Sequence, residues 1–132
     1  MPPILIFGTA SFGMDAPASF QDVDSIRQLL NALKDLGVTH LDTAARYPPN
    51  NPGLSERLLG EAGAGDFVVD TKILTDTRTD GSGDLAFEAM NKSVGNSLKS
   101  LKRANVSIAH VRRKSLLSLG SALKNLGHTS TP

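Results

Sequence analysis

The chain has 132 residues, of which 39% are apolar and 20% charged, a composition typical of one ordinary globular domain. It has no cysteine, which excludes disulfide bonds and thiolate zinc sites, and its three histidines lack the short spacing of metal-ligand pairs. The apolar start is brief and has no basic leader, and no stretch approaches the ~18 apolar residues of a transmembrane helix, so we expect a cytoplasmic protein without a membrane segment.

The net charge of +1 conceals an uneven distribution of charged residues. All 13 acidic residues precede residue 89, whereas residues 89–132 contain 8 of the 14 basic residues. A basic segment can indicate binding to nucleic acid or acidic lipid. Because this segment lacks interleaved aromatic residues, we favour a solvated helix face or a tail foreign to the rest of the fold.

The predicted elements alternate between strands and helices. Short apolar runs predict the strands, whereas leucines at helical spacing, Asp22 as a cap and Gly37 as a stop signal predict the first helix. In chain order we predict a buried strand at 4–8, a helix at 23–36, a strand at 38–43, a short helix at 54–61, a strand at 67–72, a long helix at 84–103, the start of a strand at 106–109 and a helix at 113–126. Strands ~30 residues apart are typical of βαβ units in a parallel sheet, which forms either a barrel or an open doubly wound fold.

Three polar side chains follow the predicted second and third strands. In a parallel sheet, Asp42, Tyr47 and Lys72 would meet where the carboxyl ends of the strands open on one face. An unperturbed tyrosine hydroxyl has a pKa near ~10 and protonates a carbonyl poorly, unless a nearby positive charge favours its anion. Lys72 would supply that charge and Asp42 would hold the lysine. This set predicts hydride addition to an aldehyde or ketone, with Tyr47 as general acid and a cofactor as hydride donor.

Each of these residues also has an ordinary structural interpretation. A single loop tyrosine usually packs or lies at the surface, a lysine is usually solvated, and an aspartate often accepts hydrogen bonds from backbone amides. Their joint placement at strand ends favours the functional interpretation. His40 lies on the same strand face as Asp42, and there we favour a packed histidine over a catalytic one.

The glycine clusters do not predict a conventional dinucleotide-binding loop. The cluster at 60–65 precedes a strand rather than linking a strand to a helix, so it predicts a turn. The Gly81-Ser82-Gly83 segment precedes a helix, but Asp80 and Asp84 would repel a phosphate, which favours helix capping.

Taken together, these residues make the chain resemble the aldo-keto reductase family, and most of all its aflatoxin-aldehyde-reductase-like branch. The resemblance covers about residues 4–108. The motifs that carry it are the 8–17 segment (GTASFGMDAP), Leu41-Asp42-Thr43-Ala44 with Tyr47, Leu54-Ser55-Glu56 with Leu59-Gly60, and Asp70-Thr71-Lys72. The resemblance implies a (β/α)₈ TIM barrel, NADPH as cofactor and a small aldehyde, ketone or dicarbonyl as substrate. It also implies catalytic roles for Asp42, Tyr47 and Lys72, and cofactor contacts from Gly8, Thr9 and Asp42.

The fourth catalytic residue implied by the resemblance is a histidine that ends the fourth strand. His110 is the candidate, although it comes about two residues early, which is a shift of ~7 Å along a strand with the same face retained. The sequence after His110 departs from the family's pattern, and a complete barrel needs ~250 residues. We therefore expect residues 1–110 to form the first three or four βα units of a truncated barrel, and residues 111–132 to form a divergent basic helical tail.

Three or four parallel strands cannot close a barrel, so two strand edges and the inner apolar face would stay unpaired. The first hypothesis is an NADPH-dependent aldo-keto reductase that is impaired by truncation. The second is a catalytically inactive half-barrel that self-associates through its open edges or binds a full-length reductase. The third is a nucleic-acid contact through the basic tail.

Overall fold

The computed structural model describes residues 1–15, 20–75 and 85–111 of the chain. Strands and helices alternate along these residues in the order β1 (Ile6–Gly8), α1 (Val23–Asp35), β2 (His40–Asp42), α2 (Leu54–Ala62), β3 (Val68–Lys72), α3 (Phe87–Ser100) and β4 (Ala109–His110). A short 3₁₀ helix, Ala64–Asp66, joins α2 to β3. The predicted turn at 81–83, the first residue of the predicted third helix and the predicted helical tail at 113–126 lie outside the described residues. Within the described ranges, every helix is too short or too polar to cross a membrane.

The four strands form one sheet in the order β1-β2-β3-β4, and each neighbouring pair is parallel. Asp42 pairs with Asp70 on the next strand, and Lys72 pairs with His110 on the strand after that. Because side chains alternate between the two faces of a strand, all four of these side chains belong to the same face of the sheet. This face corresponds to the inside of a barrel, and we call it the inner face.

Helix α1 begins at the predicted residue, Val23, and ends at Asp35, one residue before the predicted end. The Asp22 carboxylate accepts a hydrogen bond of 2.9 Å from the Ser25 amide, one of the first-turn amides that have no carbonyl partner within the helix. This hydrogen bond lowers the pKa of the Asp22 carboxyl. The helix stops before Gly37, whose φ of +78° suits a residue without a Cβ. The buried face of α1 consists of Ile26, Leu30 and Leu33. Leu36 follows the last helical residue and is 78% exposed, so the apolar pattern of the helix does not extend to it.

The hydrophobic core lies between the sheet and the helices. Leu41 from β2 and Val69 from β3 are fully buried there. Their immediate strand neighbours project to the inner face instead, as the two-residue repeat of a strand requires. The helices therefore cover only one side of the sheet in the described residues.

Strand β1 corrects the prediction of a buried first strand. Ile4, Leu5 and Ile6 are 71%, 65% and 54% exposed, and the strand itself spans only Ile6–Gly8. The physical reason is position: β1 lies at one edge of the sheet, with a neighbouring strand on one side only. Strand β4 is also displaced from its predicted start, because it comprises Ala109–His110 rather than residues 106–109.

Candidate active site

The sheet brings the predicted site residues to its carboxyl edge. Asp42, Lys72 and His110 are the last residues of β2, β3 and β4. Tyr47 lies in the loop between β2 and α2. Its amide donates to the Ala44 carbonyl at 3.0 Å, which folds this loop back toward the end of β2. All four side chains thus reach one end of the sheet, where enzymes with parallel sheets have their reactive groups.

The Lys72 ammonium group is held by three acceptors. Its Nζ lies 2.7 Å from Asp42 Oδ1, 2.6 Å from Asp42 Oδ2 and 3.0 Å from the Thr43 carbonyl oxygen. An ammonium group has three donors, so these contacts match its full donor capacity. The Lys72 and Asp42 side chains are only 24% and 31% exposed, which reduces screening by water relative to a surface pair. The lysine is therefore fixed in place rather than free to sample many rotamers.

The phenol of Tyr47 lies next to this ammonium group. Lys72 Nζ is 5.1 Å from the centroid of the Tyr47 ring. That separation is within the ~6 Å at which a cation is attracted by an aromatic face. The Tyr47 carbonyl accepts a hydrogen bond of 3.1 Å from the amide of Ser55, so the start of α2 holds the tyrosine backbone. The structure therefore brings together the tyrosine, lysine and aspartate that the sequence singled out.

A cavity of about 490 Å³ opens between these residues. Its wall consists of Asp42, Ala44, Arg46, Tyr47, Lys72, Ile73, Thr75 and His110. This volume lies within the ~300–1,000 Å³ of small-molecule sites. Among the described residues, no group of three or more histidine, aspartate or glutamate side chains is arranged to hold a metal ion.

Arg46 and Thr75 also line the cavity, although the sequence analysis did not single them out. Arg46 Nη1 donates a hydrogen bond of 2.8 Å to the Thr75 carbonyl, which ties the loop after β2 to the segment after β3. Their position just beyond strand ends was the available signal, because loops at that edge surround the site of a parallel sheet.

Gly8 and Thr9, predicted to contact a cofactor, lie beside the site without lining the cavity in the described part of the chain. Gly8 pairs with Asp42 in the sheet. Thr9 is fully buried, and its hydroxyl donates to the Asp42 carbonyl at 3.2 Å. His40 lies on β2 two residues before Asp42, and its Nδ1 is 2.9 Å from the Thr39 hydroxyl.

The glycine cluster at 60–65 ends a helix and leads into a strand. Gly60 belongs to α2, and Gly63 caps that helix with a φ of +88°. The predicted turn is therefore confined to residues 63–66, because residues 60–62 belong to α2. This turn leads from a helix into a strand, whereas a phosphate-binding loop leads from a strand into a helix.

A comparison of the sequence with protein families finds one whose description is "Aldo/keto reductase family", matching residues 4–111. That match spans most of the chain. The chain belongs to the aldo/keto reductase family. Its parallel sheet and helices correspond to part of the family's TIM barrel. Among proteins with curated functions, none matches the chain significantly.

Solved aldo-keto reductases share the fold at low sequence identity. A thermostable enzyme crystallised with the inhibitor epalrestat is 21% identical, with a TM-score of 0.64 over 94% of this chain and 46% of that protein. Two structures from Klebsiella pneumoniae each match 94% of this chain and 41% of their own. The one with NADPH is 23% identical with a TM-score of 0.59, and the one with NADP and acetate is 24% identical with a TM-score of 0.61. This aldo/keto reductase chain thus spans less than half the length of these three structures.

Proposed function

We propose that the chain contributes the proton-transfer part of an NADPH-dependent carbonyl reductase site, with Tyr47 as general acid. The observation that carries this proposal is the placement of the Lys72 ammonium 5.1 Å from the Tyr47 ring centroid, at the wall of a cavity of about 490 Å³. The family membership of residues 4–111 supports an oxidoreductase reaction. A lysine beside a phenol has a direct chemical use there, because its charge stabilises the phenolate that proton donation leaves behind.

The cavity suits the reactive end of a nicotinamide cofactor. It combines the apolar side chains of Ala44 and Ile73 with charged groups, and it has room for a flat ring beside a small carbonyl compound. We propose that Asp42, which lines the cavity, contributes to holding that end, and that Gly8 and Thr9, which do not line it, hold Asp42 from the neighbouring strand. The described residues form no glycine-rich loop between a strand and a helix that could bind the pyrophosphate. The proposed contacts of the described residues are therefore limited to the nicotinamide end of the cofactor. When bound, NADPH supplies the hydride.

The residues of the chain then perform the acid–base part of the reduction. The Tyr47 hydroxyl would donate its proton to the carbonyl oxygen of a bound aldehyde or ketone, so that the reduced product leaves as an alcohol. Lys72 stabilises the resulting phenolate, and Asp42 keeps the ammonium in place through both of its carboxylate oxygens. His110, which lines the cavity beside Lys72, donates a ring N–H to the carbonyl oxygen and polarises it. Water returns the proton to Tyr47 after the alcohol leaves.

The substrate class that fits this chemistry is a small aldehyde, ketone or dicarbonyl. The first-strand segment at 8–17 and the Leu54-Ser55-Glu56 motif support the aflatoxin-aldehyde-reductase-like branch within the family. A cytoplasmic location remains our expectation for this chain.

Oxidation of NADPH by the 132-residue chain with a reactive aldehyde tests the proposal. We expect low turnover, since the chain spans 41–46% of these solved relatives. Tyr47→Phe should lower kcat about 10²–10⁴-fold, the usual contribution of a general acid. Lys72→Met should lower kcat as well. Lys34→Met is a matched control, because Lys34 also pairs with an aspartate, at 2.7 Å, but on the helical surface. Turnover that survives Tyr47→Phe would contradict the proposal.

A second candidate function is the inactive half-barrel that binds another copy of the chain or a full-length reductase. The exposure of Ile4, Leu5 and Ile6 along the open edge of β1 favours it. A fluorescence titration with NADPH separates the two candidates, because only the reductase requires a cofactor site. Residues 112–132 of the basic segment that motivated the nucleic-acid hypothesis lie outside the described residues.

A further inference from the structure

A group of buried polar side chains lies behind the candidate site, between the sheet and the helices. We call this group the polar layer, and its members are at most 2% exposed: Thr9, Thr43, Ser55, Glu56, Thr71 and Ser97. Hydroxyl groups and a carboxyl group are unusual in a place where the neighbouring side chains are leucine, valine and phenylalanine. Burial of these polar groups costs free energy, which raises the question of what their hydrogen bonds hold in place.

The polar layer is joined to the site by the alternation of strand side chains. Thr43 directly follows Asp42, and Thr71 directly precedes Lys72. Because consecutive residues of a strand face opposite sides, the site residues project into the cavity while these threonines project toward α2. A displacement of either threonine therefore moves a site residue with it.

Helix α2 contacts the layer through two consecutive residues. The Ser55 hydroxyl donates to the Thr9 carbonyl at 3.0 Å and lies 3.4 Å from the Thr43 hydroxyl. Glu56 Oε1 accepts a hydrogen bond of 2.6 Å from the Thr71 hydroxyl. The Ser97 side chain on α3 also hydrogen-bonds to Glu56, and burial raises the pKa of that carboxyl. Polar contacts from one turn of α2 thus reach the residue after β1, the residue after β2, and β3.

The same turn of α2 also holds the tyrosine. The Ser55 amide donates to the Tyr47 carbonyl at 3.1 Å, while the next residue, Glu56, binds the strand residue adjacent to Lys72. Apolar packing allows small slips because it has no direction, whereas a buried hydrogen bond loses its free energy when the donor moves. Ser55 and Glu56 are therefore suited to fix the spacing between Tyr47 and Lys72.

We infer that Glu56 is a positioning residue that, through Thr71, sets the Lys72 ammonium against Tyr47 and Asp42. Its importance for catalysis rests on the proposed reductase function, but its effect on geometry does not. Glu56 does not belong to the cavity lining in the described part of the chain. It acts through the strand that bears the lysine.

The composition of the chain provides a direct reporter for this geometry. Tyr47 is the only tyrosine and there is no tryptophan, so the tyrosine band in the near-ultraviolet circular dichroism spectrum arises from Tyr47 alone. Lys72→Met calibrates how much of this band depends on the ammonium. We expect Thr71→Val to lose most of the amplitude that Lys72→Met loses. The Thr71→Val/Lys72→Met double variant should lose no more than Lys72→Met, since both changes act through the same contact.

Conservative replacements and a matched control complete the experiment. Thr71→Ser and Glu56→Gln, which keep a hydroxyl and an acceptor oxygen, should retain the band, whereas Glu56→Met should reduce it. Leu59→Ala, a fully buried site on the same helix, should lower the unfolding temperature and keep the band.

Two outcomes would overturn the inference: a folded Thr71→Val or Glu56→Met chain with the parental Tyr47 band, or additive losses in the double variant. The far-ultraviolet spectrum establishes that each variant is folded, and either of the two single changes suffices if the other does not fold. The measurement needs no NADPH. Absence of turnover in all variants would therefore count against the proposed function alone, and an unchanged band in an active Thr71→Val chain would count against the positioning role alone.

Discussion

Glu56 illustrates how much one residue's environment differs from what its type suggests. It is the most deeply buried charged side chain among the described residues, at 2% exposure. Folding removes water from its carboxyl group, and the hydroxyls of Thr71 and Ser97 only partly replace that water, so its pKa is raised from its ordinary value of 4.5. Because burial of the charged Glu56 carboxylate costs free energy, the free energy of unfolding depends on pH.

The first residue-scale prediction concerns this pH dependence. A raised pKa means that the folded state binds the Glu56 proton more tightly than the unfolded state does. The stabilisation is therefore complete below the unfolded value and is lost as pH rises through the folded value. Urea unfolding at a series of pH values should show the free energy of unfolding falling less steeply with pH in Glu56→Gln than in the parent chain. Glu61→Gln, an exposed glutamate on the same helix, should retain the parental slope. Identical slopes for the parent and Glu56→Gln would contradict the prediction.

At the scale of elements, α2 and α3 approach each other closely at one glycine. A Cβ added to Gly60 would overlap the backbone carbonyl oxygen of Ser100, and the backbone of Leu101 lies 3.0 Å away. Backbone atoms cannot yield as a flexible side chain can. The absence of a side chain at Gly60 therefore sets how near α2 lies to α3, and with it how Glu56 reaches Ser97.

Two alanine substitutions in helices test this contact. Gly60→Ala should destabilise the chain by about 1–3 kcal/mol, because the helices must separate to admit the methyl group. Gly95→Ala on α3 meets nothing within 4 Å and should stabilise the chain by about 0.5–1 kcal/mol through helix propensity. Chemical denaturation measures both changes. Equal effects of the two substitutions would show that helix propensity, and not the close contact, governs the site.

At the scale of the whole molecule, the sheet has two open edges, at β1 and β4, among the described residues. Apolar side chains stand exposed near both, including Ile6 at 54% and Ile108 at 49%. The inner face also contains Asp70, whose buried Oδ1 has no hydrogen-bond partner within the described residues. Additional strands would pair with the open edges, and their side chains would supply hydrogen-bond donors for the unsatisfied carboxylate oxygen.

We expect these edges to cause self-association of the isolated chain. Sedimentation equilibrium should show an average mass that rises with concentration. Ile6→Lys should weaken the association about tenfold or more, since burial of one isoleucine side chain contributes ~1.5–3 kcal/mol and lysine protects an open edge. Leu36→Lys is the control, because Leu36 is 78% exposed at the end of α1, away from the strand edges. A chain that stays monomeric at all concentrations, or equal effects of both lysines, would refute this expectation.

Much of the element order followed from local patterns. The leucines of α1 and its Asp22 cap predicted that helix, and the apolar runs around Leu41 and Val69 predicted β2 and β3. Asp42 and Lys72 could be assigned to one edge of the sheet because a parallel sheet opens all its strand ends on the same side. The exposure of β1 could not be predicted, since an apolar run does not reveal whether a strand has one neighbour or two.

The amino-acid sequence by itself determined the alternation of strands and helices, and it placed Asp42 and Lys72 at or next to strand ends, because both depend on periodicity and on near neighbours along the chain. Only the tertiary structure decided which distant groups meet. It placed Thr71, which is 15 residues from Glu56 in the chain, 2.6 Å from that carboxylate, and Lys72 on an aspartate 30 residues away. Such pairings arise from how helices pack on the sheet, and this packing is a property of the whole fold that no local pattern encodes.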